Sequence, residues 1–178
     1  MPSLETATDA ELEAKILELL DENRVMTVAT NRADGWPQAT LVGYVREGLD
    51  LYFAVGRQSQ KLANIARDPR VSIAIGRVSV SIGKLDPDRI LGLSMAAHAA
   101  EVDDPAEIER LNTLVESRYP EVAVFAPREA AVAVVRARPE LISIVDLPMA
   151  PGAPTLVEVT AGTGVRRVVA GAGLRSRP

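Results

Sequence analysis

The sequence predicts an α+β protein built round a small antiparallel barrel, with about seven strands and three helices. Near the N-terminus, three apolar segments follow one another through turns that are too short for a parallel crossover, so the strands must pair antiparallel. Three other segments carry apolar residues at helical spacing behind recognisable capping residues. The chain has 178 residues, which is enough for one domain with a sizeable core.

The first elements are a helix and a strand. Thr8 and Glu11 form a capping box, and the apolar stripe behind them predicts a helix whose core residues are Leu12, Ile16, Leu19 and Leu20. Residues 24–31 read RVMTVATN, apolar on both alternations, which predicts a strand covered on both faces. After a turn at residues 33–35, residues 38–45 form a second strand. A third strand then points four side chains one way: Leu49, Leu51, Phe53 and Val55.

Residues 56–75, GRQSQKLANIARDPRVSIAI, organise the rest of the chain. Ser59 is placed to cap a helix, and Lys61 puts a cation beside first-turn amides that lack helical partners, an arrangement that favours phosphate. We expect an apolar helix face with Asn64 and Arg67 turned elsewhere, formed by Leu62, Ile65 and Ala66. Asp68-Pro69 ends the helix and a strand follows at residues 71–75. For Ser59 and Lys61 alone, an ordinary cap and a solvated lysine remain the simpler interpretation.

The second half adds strands and one helix before its composition changes. A strand continues at residues 77–82, and residues 90–102 form a long strand of small residues. Asp104-Pro105 begins a third helix, and strands follow at residues 130–136 and 141–145. We therefore divide the chain into a domain at residues 1–147 and a Pro/Gly-rich linker with a basic tail at residues 148–178. Within that linker and tail, residues 155–160 are a possible edge strand, and Arg166 and Arg167 lie in a mobile tail or a partner-docking arm.

Composition excludes several classes of function. A net charge of −4 and a pI near 5.1 argue against a nucleic-acid-binding surface. The chain has no cysteine and one histidine, His98, so neither a thiolate nor a histidine-rich metal site can form. No apolar run reaches the ~18 residues of a membrane span, and no signal peptide is evident. We expect a soluble cytoplasmic protein with no metal site.

Six segments occur in an order that resembles the pyridoxamine 5′-phosphate oxidase-like, FMN-binding split-barrel family. They are RVMTVAT, DGWPQATLVGYV, LYFAV, SQKLANIARDPRVSIAI, GLSMAAHAAEV and PELISIVD, which together cover roughly residues 8–147. The resemblance implies a Greek-key-like antiparallel split barrel with flanking helices. It also implies a homodimer that holds FMN at the subunit interface and acts on a small-molecule substrate.

The resemblance implies which residues hold the cofactor. The flavin ring would lie against Thr40, Leu41 and Val42, and its phosphate chain would pass Phe53, Ala54 and Val55. The phosphate itself would meet Ser59, Gln60 and Lys61. True pyridoxamine phosphate oxidases carry arginines where this chain has Gln60 and the segment Gln38 to Thr40, and their C-terminal substrate-binding segment is not matched. The chain therefore resembles the general flavin or deazaflavin reductase branch.

Other candidate residues have competing interpretations. His98 could be a base or a haem ligand, although its local sequence supplies no partner for the ring, and Trp36 suits packing at a turn better than stacking on a cofactor. Asp86 and Asp88 flank a proline and are typical of turn residues. No set of side chains suited to acid–base or covalent catalysis can be assembled, so the catalytic residues stay unknown and a cofactor must carry any chemistry.

The sequence thus predicts an FMN-binding oxidoreductase that transfers a hydride between flavin and a small substrate. Two alternatives stay open: a deazaflavin-dependent reductase of the same fold, and a non-enzymatic dimeric protein that binds flavin or haem. Haem is the less favoured ligand, since His98 is the single candidate for its axial ligand.

Overall fold

A computed structural model describes residues 4, 6–77, 80–81, 84–85, 90–118, 131–147, 154–160 and 164–168. Within these residues the fold is an antiparallel α+β split barrel, as the sequence predicts. The helices are α1 (Asp9–Glu22), α2 (Gln60–Arg67) and α3 (Pro105–Arg118). The strands are β1 (Val25–Asn31), β2 (Pro37–Gly43), β3 (Val45–Glu47), β4 (Asp50–Gly56), β5 (Arg70–Arg77), β6 (Val80–Ser81), β7 (Lys84–Leu85), β8 (Ile90–Glu101), β9 (Val132–Leu147), β10 (Thr155–Thr160) and β11 (Gly164–Arg167).

The main sheet follows the order β11-β10-β9-β8-β5-β1-β2, and β4 joins it by pairing with β9. The second strand predicted at residues 38–45 is divided at Tyr44, so that β2 pairs with β1 while β3 pairs with β4. Tyr44 is buried in the core, and its hydroxyl donates to the Leu20 carbonyl of α1 at 2.9 Å. Among the strands described, β2 has no second neighbour in the sheet, so the barrel stays open beside it.

Two apolar clusters pack the helices against the sheet. The larger fills the barrel and packs it against α1 and α2, with fully buried side chains that include Phe53, Met26, Ile73 and Ile142. The smaller lies between α3 and the outer surface of β4 and β9, where Tyr52 and Val134 meet Leu111 and Val115. The alternating strand residues predicted to point inward, such as Leu51, Phe53 and Val55, are therefore core residues.

Local signals placed the helix starts correctly. Thr8 and Glu11 form the predicted capping box, with Thr8 N donating to Glu11 Oε2 at 2.7 Å and Glu11 N donating to Thr8 Oγ1 at 3.3 Å. Asp104 caps α3, because its Oδ1 accepts from the amide of Ala106 at 2.9 Å. Gly35 adopts a φ of 82°, the left-handed conformation that the predicted turn before β2 requires.

The C-terminal region continues the same sheet. β10 pairs with β9 and β11 pairs with β10, so Arg166 and Arg167 lie in a strand at the edge of the described sheet. Arg167 N donates to Asp9 Oδ1 at 2.9 Å, and its guanidinium donates to the Ala7 carbonyl at 2.9 Å, which ties β11 to the start of α1. The sequence did not reveal this strand because its four residues lie among small and basic ones. Residues 169–178 are outside the described part of the chain.

Candidate functional site

The start of α2 provides main-chain amides that suit an anion. Ser59 has the extended backbone of a helix cap, and its Oγ accepts from the amide of Leu62 at 3.3 Å. Its own amide donates to the Gly56 carbonyl at 2.9 Å, which fixes the chain as β4 leads into the helix. The amides of Gln60 and Lys61 have no acceptor within the helix, and the helix dipole favours negative charge there.

Replacing Ser59 with alanine tests the capping role. We expect the free energy of unfolding of the ligand-free protein to fall by about 0.5–2 kcal/mol, because a first-turn amide loses its acceptor. Thermal unfolding followed by circular dichroism would measure it. Ser117→Ala is the matched control, since Ser117 donates to the Leu114 carbonyl near the exposed end of α3. Equal melting temperatures for Ser59→Ala and the parent protein would contradict the role.

Lys61 is a partly buried cation at this helix start. Burial lowers the pKa of its ammonium group, because desolvation penalises the charged form. The described residues supply no carboxylate in an ion pair with it. An anionic ligand would stabilise the charged form of this lysine, because it would compensate a positive charge in a partly desolvated position.

The neighbouring arginines already have acceptors. Arg57 donates to Glu101 at 2.6 Å, so it is engaged beside the helix start. Arg70 forms an ion pair with Asp68 at 2.9 Å, and together with Asn31 it holds the pKa of the Asp68 carboxyl well below its usual range. Arg67 donates to the main-chain carbonyl of Asn31. At the start of α2, Lys61 is therefore the cation for which neither an acceptor nor a counterion is described.

Asn64 organises a polar network beneath the helix. It is 1% exposed, and it donates through Nδ2 to Thr30 Oγ1 at 3.0 Å and to Gln38 Oε1 at 3.2 Å. Its Oδ1 accepts from Gln60 Nε2 at 2.9 Å. The expectation that Asn64 turns away from the apolar face is wrong, and so is the inclusion of Ala66, which is exposed. Thr30 and Gln38 satisfy the amide of Asn64, which lets a polar residue take the buried position.

The three residues predicted on β2 point to opposite faces. Thr40 lies opposite Val28 and Val42 lies opposite Met26, so both side chains point into the barrel. Leu41 points outward and is 74% exposed. Thr40 Oγ1 is buried and has no hydrogen-bond partner in the described structure. A buried hydroxyl without a partner is costly, and a polar ligand atom would satisfy it.

The three residues predicted on β4 offer no free side chain. Phe53 is fully buried and Val55 is 6% exposed, both in the barrel core, while Ala54 packs into the cluster beneath α3. Their main chains pair with β9 from Phe53↔Val135 to Val55↔Ala133. The main-chain edge of residues 53–55 that faces away from β9 has no strand partner among those described, so a ligand contact from these residues would come through that edge.

Two adjacent rows of residues on the outer face of the sheet are uncharged across five strands. The register aligns one row from β2 to β9 and a second row beside it. The first row consists of Leu41, Thr27, Ala74, Ser94 and Ser143, and the second of Ala39, Ala29, Ser72, Ala96 and Leu141. We call these ten residues the neutral face. Most of them are small, so the surface they form is flat as well as uncharged.

A groove of about 510 Å³ lies at one end of the neutral face. Three of its lining residues, Val25, Leu41 and Val145, are large hydrophobic side chains that are at least 36% exposed. Its floor includes Gly76 and Gly92, where strands come so close that a Cβ on Gly92 would lie 3.1 Å from the Ile75 carbonyl oxygen. Volumes of 300–1,000 Å³ are typical of small-molecule sites.

The groove and the start of α2 lie towards opposite ends of β1. Val25 lines the groove, whereas Thr30 contacts Asn64 beneath α2, five residues or about 16 Å further along the strand. The described residues of a single chain thus do not bring the two features into one enclosed pocket.

The remaining sequence candidates are dispersed. His98 Nδ1 lies 2.9 Å from Glu140 Oε1, a partner that local sequence could not reveal because it is 42 residues away. Trp36 is 71% exposed at the β1–β2 turn. Asp86 and Asp88 are outside the described residues. No group of three or more potential metal ligands occurs in the described part of the chain, and no described helix is long and apolar enough to cross a bilayer.

A second polar cluster lies between α3 and the barrel. Glu107 accepts from Tyr52 Oη at 3.1 Å and from Arg136 Nη1 at 2.8 Å, and Arg138 pairs with Asp50 at 3.2 Å. Burial, together with the Glu107 carboxylate, raises the pKa of Tyr52. Each of these groups has a partner, so we interpret the cluster as a network of ion pairs and hydrogen bonds that holds α3 against the barrel.

The antiparallel split barrel defines the fold class, and the sequence comparison agrees with it. The profile of the pyridoxamine 5′-phosphate oxidase family matches residues 12–146. The chain therefore belongs to this family. No curated protein sequence matches it.

Solved structures share the fold. A Listeria innocua protein provisionally named pyridoxamine 5′-phosphate oxidase is 26% identical with a TM-score of 0.60, over 76% of this chain and 98% of that one. The conserved hypothetical protein Rv2991 from Mycobacterium tuberculosis is also 26% identical, with a TM-score of 0.65 over 77% and 86% of the two chains. HutZ, the haem storage protein from Vibrio cholerae, is 20% identical with a TM-score of 0.60 over 72% and 90%.

Proposed function

We propose that this protein binds FMN and acts as an oxidoreductase that exchanges a hydride between the flavin and a small substrate. One observation carries the proposal: Lys61 is a partly buried cation without a described counterion, at a helix start whose amides favour phosphate. Family membership supports a flavin-type ligand, and the unpartnered Thr40 hydroxyl supports a polar ligand beside β2.

Ser59, Gln60 and Lys61 would hold the phosphate. The edge of β2 that faces away from β1 has no strand partner among those described, so its main-chain groups are free to pair with the polar rim of a flavin ring. Gln38 is linked to α2 through Asn64, and Leu41 lies about 10 Å further along β2 at the outer groove. A ligand with a phosphate at one end and an apolar ring at the other fits along this path.

The flavin, when bound, supplies the hydride chemistry. The described residues of this region would bind and orient it: Lys61 would compensate the phosphate charge, and Leu41 would present an apolar surface on the outer face of β2. Thr40 would offer its buried hydroxyl from the opposite, inner face of the same strand. Among the described residues around α2, the carboxylates of Asp68 and Glu101 already pair with arginines, so they offer no free general acid or base. A deazaflavin-dependent reductase would use the same path, and the neutral side chains of Gln38 and Gln60 favour that alternative.

Turnover separates an oxidoreductase from a ligand carrier. We expect the FMN-loaded protein to oxidise reduced nicotinamide well above the rate of the same concentration of free FMN. Saturable FMN binding without such turnover would favour the non-enzymatic alternative. Among the structural neighbours, HutZ is named as a haem storage protein, and the described residues give the Nε2 of His98 no partner, while its Nδ1 contacts Glu140. A haem titration of His98→Ala against the parent tests that ligand.

We also propose that the neutral face is the interface of a homodimer. In a two-fold dimer the same surface meets itself, so an uncharged surface avoids repulsion between like charges. Depletion of charge is typical of interface cores. A second copy would cover Leu41, Val25 and Val145 and would close the groove from outside.

Replacing Leu41 with aspartate tests the dimer. The chain itself should tolerate the change, because Leu41 is 74% exposed, but two charges would face the partner in a two-fold interface. We expect sedimentation velocity to show a dimer for the parent and a monomer for Leu41→Asp. Ala63→Asp on the exposed side of α2 is the control and should stay dimeric. A Leu41→Asp protein that remains a dimer would exclude the neutral face as the interface.

A further inference from the structure

The neutral side chains at the start of α2 limit the charge of this site. Gln60 is the first residue of the helix, and its side-chain amide donates to Asn64 at 2.9 Å. Asn64 in turn donates to Gln38 Oε1 at 3.2 Å. Asn64 is 1% exposed, and its two donors and its acceptor are all used. The network therefore holds two uncharged amide side chains in place, that of Gln60, which precedes Lys61 in the helix, and that of Gln38 on β2.

Nearby charged groups do not add to the charge of Lys61. α2 packs against β1, β4 and β8. β1 has no charged side chain, and the charged residue of β4, Asp50, pairs with Arg138. On β8, His98 contacts Glu140 and Glu101 pairs with Arg57. Among the described residues, the helix start thus offers one unpaired positive charge, that of Lys61, together with amide dipoles.

Resting on the proposed function, we propose that this site selects phosphate groups with one negative charge over phosphate groups with two. A singly charged phosphate balances Lys61. A doubly charged phosphate leaves one charge uncompensated in a partly desolvated position, and that arrangement is unfavourable. Gln38 and Gln60 can donate hydrogen bonds to either form, but they add no charge.

Two ligand sources carry a singly charged phosphate. A phosphodiester has one charge at every pH near neutrality. A phosphomonoester such as FMN has one charge only below its second pKa of about 6. We therefore expect a flavin phosphodiester to bind more tightly than the doubly charged monoester, and we expect FMN affinity to depend on pH.

Three ligands with the same ring system separate these cases: riboflavin, FMN and the methyl ester of FMN, which is a phosphodiester. We expect the methyl ester to bind about tenfold more tightly than FMN at pH 8.0, measured by flavin fluorescence. At pH 5.5 the two should bind within roughly twofold of each other. Riboflavin should bind more weakly than both, and its pH dependence controls for effects of pH on the protein itself.

A charge variant provides the second measurement. Gln60→Arg should strengthen FMN binding at pH 8.0 by about tenfold and remove the preference for the methyl ester. Ala66→Arg is the matched control: it adds the same charge to an exposed position at the far end of α2 and should leave the preference intact.

The outcomes separate this inference from the proposed function. FMN that binds at pH 8.0 as tightly as its methyl ester, but more tightly than riboflavin, overturns the inference and leaves the flavin function standing. A preference that survives Gln60→Arg also overturns it. Equal binding of riboflavin and both phosphates overturns the phosphate site itself, and the absence of binding by all three overturns both proposals.

Discussion

Replacing Lys61 with alanine is expected to weaken FMN binding by roughly tenfold to a hundredfold. The change removes one charge-assisted hydrogen bond to phosphate, which contributes about 1.5–3 kcal/mol. The lysine has no described ion pair, so the melting temperature of the ligand-free protein should change little, by an amount that corresponds to ~0.5 kcal/mol. Fluorescence titration and thermal unfolding measure the two effects on the same samples.

Two comparisons sharpen this prediction. Lys61→Arg keeps the charge and should retain most of the affinity, and riboflavin should bind the parent and Lys61→Ala equally because it has no phosphate. Ser59→Ala should lower both stability and affinity, whereas Lys61→Ala lowers affinity alone. If Lys61→Ala binds FMN as tightly as the parent, the lysine is an ordinary surface residue. Arg57, which now contacts Glu101, is then the next candidate for the phosphate.

Replacing Asn64 with leucine is expected to lower the free energy of unfolding by about 1–3 kcal/mol. Thr30 is 2% exposed and would lose the amide that donates to its hydroxyl, while Gln38 and Gln60 can turn to water. For a chain of this length each kcal/mol shifts the melting temperature by roughly 2–4 °C. Thermal unfolding of the ligand-free protein would show a loss of several degrees.

A double replacement isolates the polar contribution. Thr30→Val together with Asn64→Leu removes both partners, so no unsatisfied hydroxyl remains, and stability should recover in part relative to Asn64→Leu alone. FMN affinity should fall in both Asn64→Leu and the double variant, because Gln60 is no longer held at the helix start. A double variant less stable than the sum of the single changes would show that the network does not act as one unit.

The fold could be predicted from sequence because its signals are local. The Thr8–Glu11 capping box, the Asp104-Pro105 helix start and the alternation along Leu51, Phe53 and Val55 each depend on a few neighbouring residues. Two features lacked such a signal. The division of the second strand at Tyr44 depends on a contact with α1, and β11 depends on pairing with β10 and on the start of α1.

The site could be predicted less well, because its contacts join residues that are far apart in the sequence. Ser59 as a cap was predictable, but the burial of Asn64 depends on Thr30 and Gln38, which lie 34 and 26 residues away. The i, i+4 spacing of Gln60 and Asn64 was the one local hint. Likewise, the neutral face arises from the registers of five strands, and Glu140 reaches His98 only because β8 and β9 pair.

The most direct test is a titration of the purified, ligand-free protein with FMN and with riboflavin at pH 7, followed by flavin fluorescence. The proposal that a phosphate-bearing flavin rests on the start of α2 predicts saturable FMN binding at least ~tenfold tighter than riboflavin binding, with the difference lost in Lys61→Ala. Equal affinities for FMN and riboflavin, or no saturable binding of FMN, would contradict it.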